Sequence, residues 1–150
     1  TAWMSSASIK KIIPCKKNQV IEMVLDIEKY PEFVPWCIEG KIHDKNESKD
    51  LITFNGDLKV GKSLFNRTFS SHVSYYKEKD KIIVNNLDGP LKHLKNEWIF
   101  REINNATQLE FFIDFELKNP ILNVMMKKSF ELGVDKIAKA FEERAINIFK

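Results

Sequence analysis

The sequence predicts an α+β domain in which one long helix lies across one face of a curved antiparallel sheet. Three observations predict it. Six consecutive segments alternate apolar and polar residues with a period of two, the mark of strands with one wet face. A single apolar stripe then steps by three and four through Leu122, Met126, Phe130, Val134, Ile137, Phe141, Ala145 and Ile148. The chain has 150 residues, 43% of them hydrophobic, which is one domain with apolar mass for a real core.

The elements follow in order. Ser8–Cys15 reads as a first strand that Pro14 terminates. Residues 1–7 precede it without an apolar run and are expected to be disordered or an expression remnant before Met4, so the domain is assigned to 8–150. Lys16–Glu28 has helical spacing, with Val20, Val24 and Ile27 on one face and Met23 beside them. Tyr30 to Cys37 carries two prolines four apart, so it is a short helical turn or loop. Its large apolar side chains suit either a plug for the core or a gate over a cavity or membrane contact. Strands follow around Ile38–Ile42, Ile52–Val60, Phe65–Tyr75, Ile82–Leu87, Leu94–Phe100 and Leu109–Leu117, with His43–Asp50 as one polar hairpin turn. Asn119 is placed to cap the last helix and Pro120 to open it, while Gly133 inside it marks a bend or a close approach to the sheet. The space between helix and sheet need not close, and a cavity there would be lined by these apolar faces.

Composition excludes several classes. Five Gly and five Pro rule out linker, collagen-like and Pro-rich disordered chains. A net charge of +3 with interspersed signs allows an anionic partner without demanding one, and DNA is not expected. Cys15 and Cys37 lack a CxxC spacing and read as reduced thiols. Sequons at Asn46, Asn66 and Asn105 have no secretory segment to make them relevant. No apolar run reaches the ~18 residues of a membrane span, so a soluble protein, or one resting on a membrane surface, is expected.

Gly56 to Ser63 matches GxxxxGK[ST], but Leu58 and Val60 keep the strand alternation inside it and Phe65 and Phe69 continue it afterwards. A phosphate loop needs a helix there, so the match reads as a hairpin turn containing Gly61-Lys62. His43, His72 and His93 lack metal-ligand spacing, and no metal is expected. Asp114 and Glu116 oppose the apolar parity of their strand and read as solvated carboxylates rather than an acid–base pair. Met125, Met126 and Phe130 suit either core or the wall of an apolar site.

Tyr30-Pro31-Glu32-Phe33-Val34-Pro35-Trp36-Cys37 resembles the YPxFLPWC-type segment of the coenzyme Q-binding START-like proteins, a family that includes ribosome-association toxins. Leu87 to Leu94 is similar to its DGPFK-L segment, and Trp98 with Phe100 to the W-x-F that follows. Asp114 to Leu117 and the final helix resemble its closing part. Val34 and Leu91 depart from the usual Leu and Phe but stay apolar.

The resemblance covers Ser8 to Lys150 and implies a helix-grip fold around a hydrophobic tunnel. It implies a carrier for ubiquinone or a related isoprenoid lipid, with no catalytic residue or catalytic cofactor. Pro35, Trp36 and Cys37 would stand at the tunnel mouth, with Tyr30, Phe33 and Val34 from the same segment. Leu87, Gly89, Pro90 and Leu91 would form a facing loop. Phe65, Phe69, Trp98, Phe100, Phe111, Ile113 and Phe115 would line the strand side. Met125, Met126, Phe130 and Phe141 would line a helical lid. Tyr30 or Lys92 could donate to the quinone head. The implied setting is cytoplasmic, at most peripheral to the bacterial inner membrane, or the matrix side of a mitochondrion.

Two other readings stand beside it. One is binding to the large ribosomal subunit through a basic surface of Lys62, Lys92, Lys95, Arg101, Lys127 and Lys128. The other is a polyketide cyclase-type enzyme.

Overall fold

The structure is a computed structural model that describes residues 5–62 and 64–150; the side chains of Lys62 and Phe65 fall outside that description. The order is β1 (Ser5–Ile13), α1 (Lys17–Leu25), a 3₁₀ segment (Ile27–Glu32), β2 (Cys37–Glu47), β3 (Leu51–Lys62), β4 (Phe65–Tyr76), β5 (Lys81–Asp88), β6 (Leu91–Ile103), β7 (Ala106–Leu117) and α2 (Pro120–Phe149). The seven strands form one antiparallel sheet in the order β1-β7-β6-β5-β4-β3-β2. From β2 onward each strand pairs with its sequence neighbour, and β1 crosses over to pair with β7.

Several boundaries differ from the sequence expectation. The first strand starts at Ser5, not Ser8, because Ser5 to Ala7 pair with Phe115 to Ile113, and the Ser6 hydroxyl donates to Asp114 at 2.5 Å. Residues 5–7 are thus sheet rather than a loose leader. The helix expected over Lys16–Glu28 splits at Asp26, whose backbone is not helical, and the 3₁₀ segment absorbs Tyr30 and Pro31. The polar stretch after His43 is mostly strand, since a register shift between His43 and Asn46 takes up its extra residues. The GxxxxGK[ST] match lies in the β3–β4 hairpin, where Gly61 pairs with Asn66. No helix follows it, so no phosphate cradle forms.

The main core is asymmetric along α2. Val20, Ile21, Met23 and Val24 of α1 pack with Ile27, Tyr30, Phe54, Ile82, Phe100 and Leu109, and α2 adds Phe141 and Ala145 from its second half. Phe33, Tyr30 and Phe141 meet edge to face with centroids 5.1–5.7 Å apart. Near its start α2 touches only a small cluster, where Phe130 packs against Leu91, Phe115 and Leu117. The start itself is well made: Asn119 accepts from the amides of Ile121 and Leu122 at 3.0 and 3.1 Å, with Pro120 at the first position. Asn123 then ties α2 to the sheet by accepting the Leu117 amide at 3.0 Å.

Candidate functional site: the apolar space beneath the long helix

Three neighbouring cavities lie on the concave face of the sheet, two of them under α2 and one under α1 and the 3₁₀ segment. The first, of about 110 Å³, sits between α2 and β1, β6 and β7. Its walls are Ile9, Ile13, Trp98, Leu109, Phe111 and Ile113 from the sheet, and Phe130, Val134, Ile137, Ala138 and Phe141 from the helix. Lys11 is the single charged side chain in it, and its ammonium is held by Glu142 of α2 at 3.2 Å. That pair bridges sheet edge and helix.

The second, of about 100 Å³, lies deeper, among Val24, Ile27, Tyr30, Phe54, Leu58, Phe69, Val73 and Trp98. Ser71 and Asn96 are its polar members. Asn96 is already committed, donating to the Phe112 carbonyl at 2.9 Å and accepting the Trp98 indole N–H at 3.0 Å. The third, of about 450 Å³, is a groove at the protein surface. It is lined by Trp36, Val60, Gly61 and Phe115 on one side and Met126, Ser129, Phe130, Leu132, Gly133 and Lys136 on the other.

The three are neighbours. Trp98 is common to the first and second, and Phe130, Val134 and Ile137 to the first and third. A drug-sized site normally occupies ~300–1,000 Å³, so the groove is large enough alone and the inner two serve as extensions.

Trp36 shapes the mouth. Its φ of +65° is rare for a bulky residue. The Gly61 amide fixes that turn by donating to the Trp36 carbonyl at 2.9 Å. The ring then lies beside Gly133, whose missing Cβ would stand 3.9 Å from it, and under the Lys136 ammonium at 6.0 Å. A methyl at Gly133 would only touch this indole at ordinary contact distance, so the expected close approach to the sheet is not seen there.

The expected site residues separate into groups. Trp98, Phe111, Ile113, Phe130 and Phe141 face the first cavity, Phe69 and Tyr30 the second, and Trp36, Phe115 and Met126 the groove. Phe33, Val34 and Cys37 pack against the main core, and Pro35 joins them to Trp36 without lining a described cavity. The Phe65 side chain lies outside the described residues.

Eight of the expected residues stand otherwise in the structure. Phe100 is 2% exposed and fills the core. Leu87 is 54% exposed, and Gly89 and Pro90 form the β5–β6 turn, where Gly89 takes φ +118° against the Thr68 carbonyl. Leu91 belongs to the small cluster with Phe115 and Leu117. Met125 points away from every described cavity. The Tyr30 hydroxyl stays protonated, since burial pushes its ionisation far above the usual phenol range, but that proton is committed to the Val24 carbonyl rather than to a ligand. Lys92 sits on the sheet's outer face, paired with Glu116 at 3.2 Å.

The structure adds lining residues that the sequence reading did not assign. Ile9, Lys11 and Ile13 alternate on β1, a pattern legible in sequence but not tied to a site, while Val134 and Ile137 belong to the α2 stripe expected to line such a cavity. Ser71, Asn96 and Ser129 carry no local signal, because a polar residue inside an apolar cavity looks like any other polar residue in sequence.

The carboxylates of β7 face outward. Asp114 accepts from Ser6 and lies 3.3 Å from His93 Nε2, and these contacts hold its carboxyl below the usual range. Cys15 is buried and Cys37 half-buried, both free, and burial pushes both thiols up. Among the described residues no group of His, Cys, Asp and Glu could hold a metal ion. No described helix is long and apolar enough to cross a membrane.

A seven-stranded sheet gripping a long helix over an apolar space matches a known family. The model of polyketide cyclase / dehydrase and lipid transport proteins matches residues 13–142. The chain belongs to that family. The family fold recurs in an 18 kDa Caulobacter crescentus protein solved in solution, at 30% identity and TM-score 0.78, covering 95% of this chain and 97% of that one. The ribosome association toxin RatA of Rickettsia prowazekii is 29% identical over 149 residues, 98% of this chain and all of that protein. The mitochondrial coenzyme Q-binding protein of Dictyostelium discoideum is 28% identical over 135 residues, 88% of this chain and 64% of that protein. A Streptomyces aromatase/cyclase shares the fold at 18% identity and TM-score 0.76, covering 95% of this chain and 93% of that one. One fold thus carries both binding proteins and a cyclase.

Proposed function

We propose that this protein binds an isoprenoid quinone such as ubiquinone, or a lipid of similar shape, beneath α2 and carries it without transforming it. The observation that carries this reading is the run of three adjoining apolar cavities from the groove at Trp36 inward past Phe130 to Trp98. A long apolar tail buried there gains ~25 cal/mol per Å² removed from water. The head group belongs at the mouth, where Ser129 and Lys136 are the donors in the groove wall. Two facts support a carrier rather than a cyclase. Lys11 is neutralised by Glu142, and Asp114 and Glu116 lie on the opposite face of the sheet from the cavities. The coenzyme Q-binding relative agrees in kind. Such a ligand sets the work beside a quinone-containing membrane.

The test is to purify the protein from a quinone-containing host and extract it for mass spectrometry. Co-purified isoprenoid quinone, and a change in Trp36 and Trp98 fluorescence on adding quinone to stripped protein, are expected. Absence of both would sink the proposal.

A second reading is association with the large ribosomal subunit. It is supported by the toxin relative that spans the whole chain. The basic residues expected to serve it divide between two surfaces: Lys92, Lys95 and Arg101 on β6, and Lys127 and Lys128 on α2. Overproduction followed by sucrose-gradient profiling separates the readings, since a carrier leaves subunit joining unchanged.

A further inference from the structure

The first half of α2 carries two apolar stripes; the cavities account for one, and of the other only Leu132 reaches a cavity, at the rim of the groove. On the inner side Phe130, Val134 and Ile137 face the sheet. On the opposite side Ile121, Met125 and Leu132 stand at i, i+4 and i+11, which a helix brings onto one line. They are 72%, 61% and 64% exposed. Val124 and Leu122 flank this line and are exposed as well, and the exposed Met126 lies on the groove side. The nearest hairpin adds a further apolar tip. Leu64, 89% exposed, caps the β3–β4 turn three residues after Gly61, which shares the groove with Met126 and Leu132. A monomer in water gains nothing from such a ridge, and in the second half the same line turns polar at Lys139 and Glu143 before one exposed apolar residue, Ile146.

The charges select the occupant. Between Lys118 and Lys136 the chain holds four lysines against two acids, Glu131 and Asp135. Lys128 lies on the apolar line itself, one turn from Met125. Aliphatic side chains interleaved with lysines fit a bilayer interface, where the apolar groups enter the acyl boundary and the ammonium groups meet phosphate. RNA would use the lysines but leave Ile121, Met125 and Leu132 with no partner.

We propose that the first half of α2, with the β3–β4 turn, is a docking surface for an anionic phospholipid bilayer. Docking there lays the groove mouth at Trp36 against the membrane, so that an apolar ligand passes between bilayer and cavity without crossing water. The exposure and charge of this surface are independent of which ligand fills the cavities.

Co-sedimentation with phosphatidylcholine vesicles, with and without phosphatidylglycerol, tests it. Binding stronger by about tenfold or more is expected on the anionic vesicles. The double variant M125E/L132E should lose about tenfold or more, and K128Q should lose the preference for anionic lipid. I103E, at the exposed β6–β7 end, should bind like the unaltered chain. Circular dichroism confirms that each variant folds. The proposal is overturned if the unaltered protein ignores both vesicle types or if M125E/L132E binds as well as it does. It also fails if the stripe instead mediates a dimer that the double variant disperses, or ribosome binding that it abolishes. Quinone content, measured by mass spectrometry on the same preparations, is a separate readout: vesicle binding without quinone defeats only the carrier reading.

Discussion

Tyr30 shows how a residue that looks functional in a motif can be structural in the fold. Its hydroxyl satisfies the Val24 carbonyl at the end of α1, where the chain leaves the helix for the 3₁₀ segment. Y30F leaves that buried carbonyl unpaired and should cost about 1–3 kcal/mol in urea unfolding, with little effect on ligand retention. Asp114 and Asp57 are the matching case on the outer face. Ser6 and then His93 lower the first, and Ser70 and then His43 lower the second. A carboxyl depressed in the folded state contributes stability above its unfolded value, near 4, and loses it as pH falls through the folded value. Stability should therefore fall as pH drops below about 4. S6A and S70A should lower stability at neutral pH and flatten that fall, read from denaturant midpoints across a pH series.

At the scale of elements, α2 behaves as two halves. The second half is locked by Phe141, Ala145 and the Lys11–Glu142 pair, whereas the first is held mainly by its cap, by Asn123 and by Phe130. Gly133 sits at the junction, and an added methyl would meet the Trp36 ring at ordinary contact distance. G133A should therefore stabilise the protein by about 0.5–1 kcal/mol through helix propensity, seen as a higher melting temperature, while narrowing the groove. Gly40 is the opposite case. A Cβ there would lie 2.1 Å from the Ile27 carbonyl oxygen, where β2 crosses the 3₁₀ segment. Neither backbone can yield without parting the two elements, so G40A should cost about 2–3 kcal/mol or prevent soluble expression. Sequence reading expected a glycine contact in α2 and had no reason to single out Gly40. The partner of Gly40 is 13 residues away, and only the crossing angle makes the contact.

For the whole molecule, Trp98 decides whether the inner space is one cavity or two. Its ring packs against Phe111 at 4.6 Å and Phe141 at 5.5 Å and lines both inner cavities. W98A should join them at a cost of about 3–5 kcal/mol. If the carrier reading holds, the variant should accept a longer isoprenoid tail, measured as a shifted preference across a chain-length series.

The sequence by itself determined the class, the strand faces, the cap of α2 and the family, because periodicity, capping and short motifs are local properties. Strand parity puts Trp98, Phe111 and Phe115 on the sheet face toward the helix, and the helical stripe puts Phe130 on the helix face toward the sheet, whereas only the motif resemblance pointed to Trp36. Tertiary structure alone decided which apolar residues on those faces line space and which fill it. Phe100 and Phe111 share one parity on paired strands, yet one is sealed in the core and the other faces a cavity. The difference is the distance between sheet and helix at each point along α2. That separation is set by long-range packing at Phe141 and by the lack of it near Met125, which no local pattern encodes.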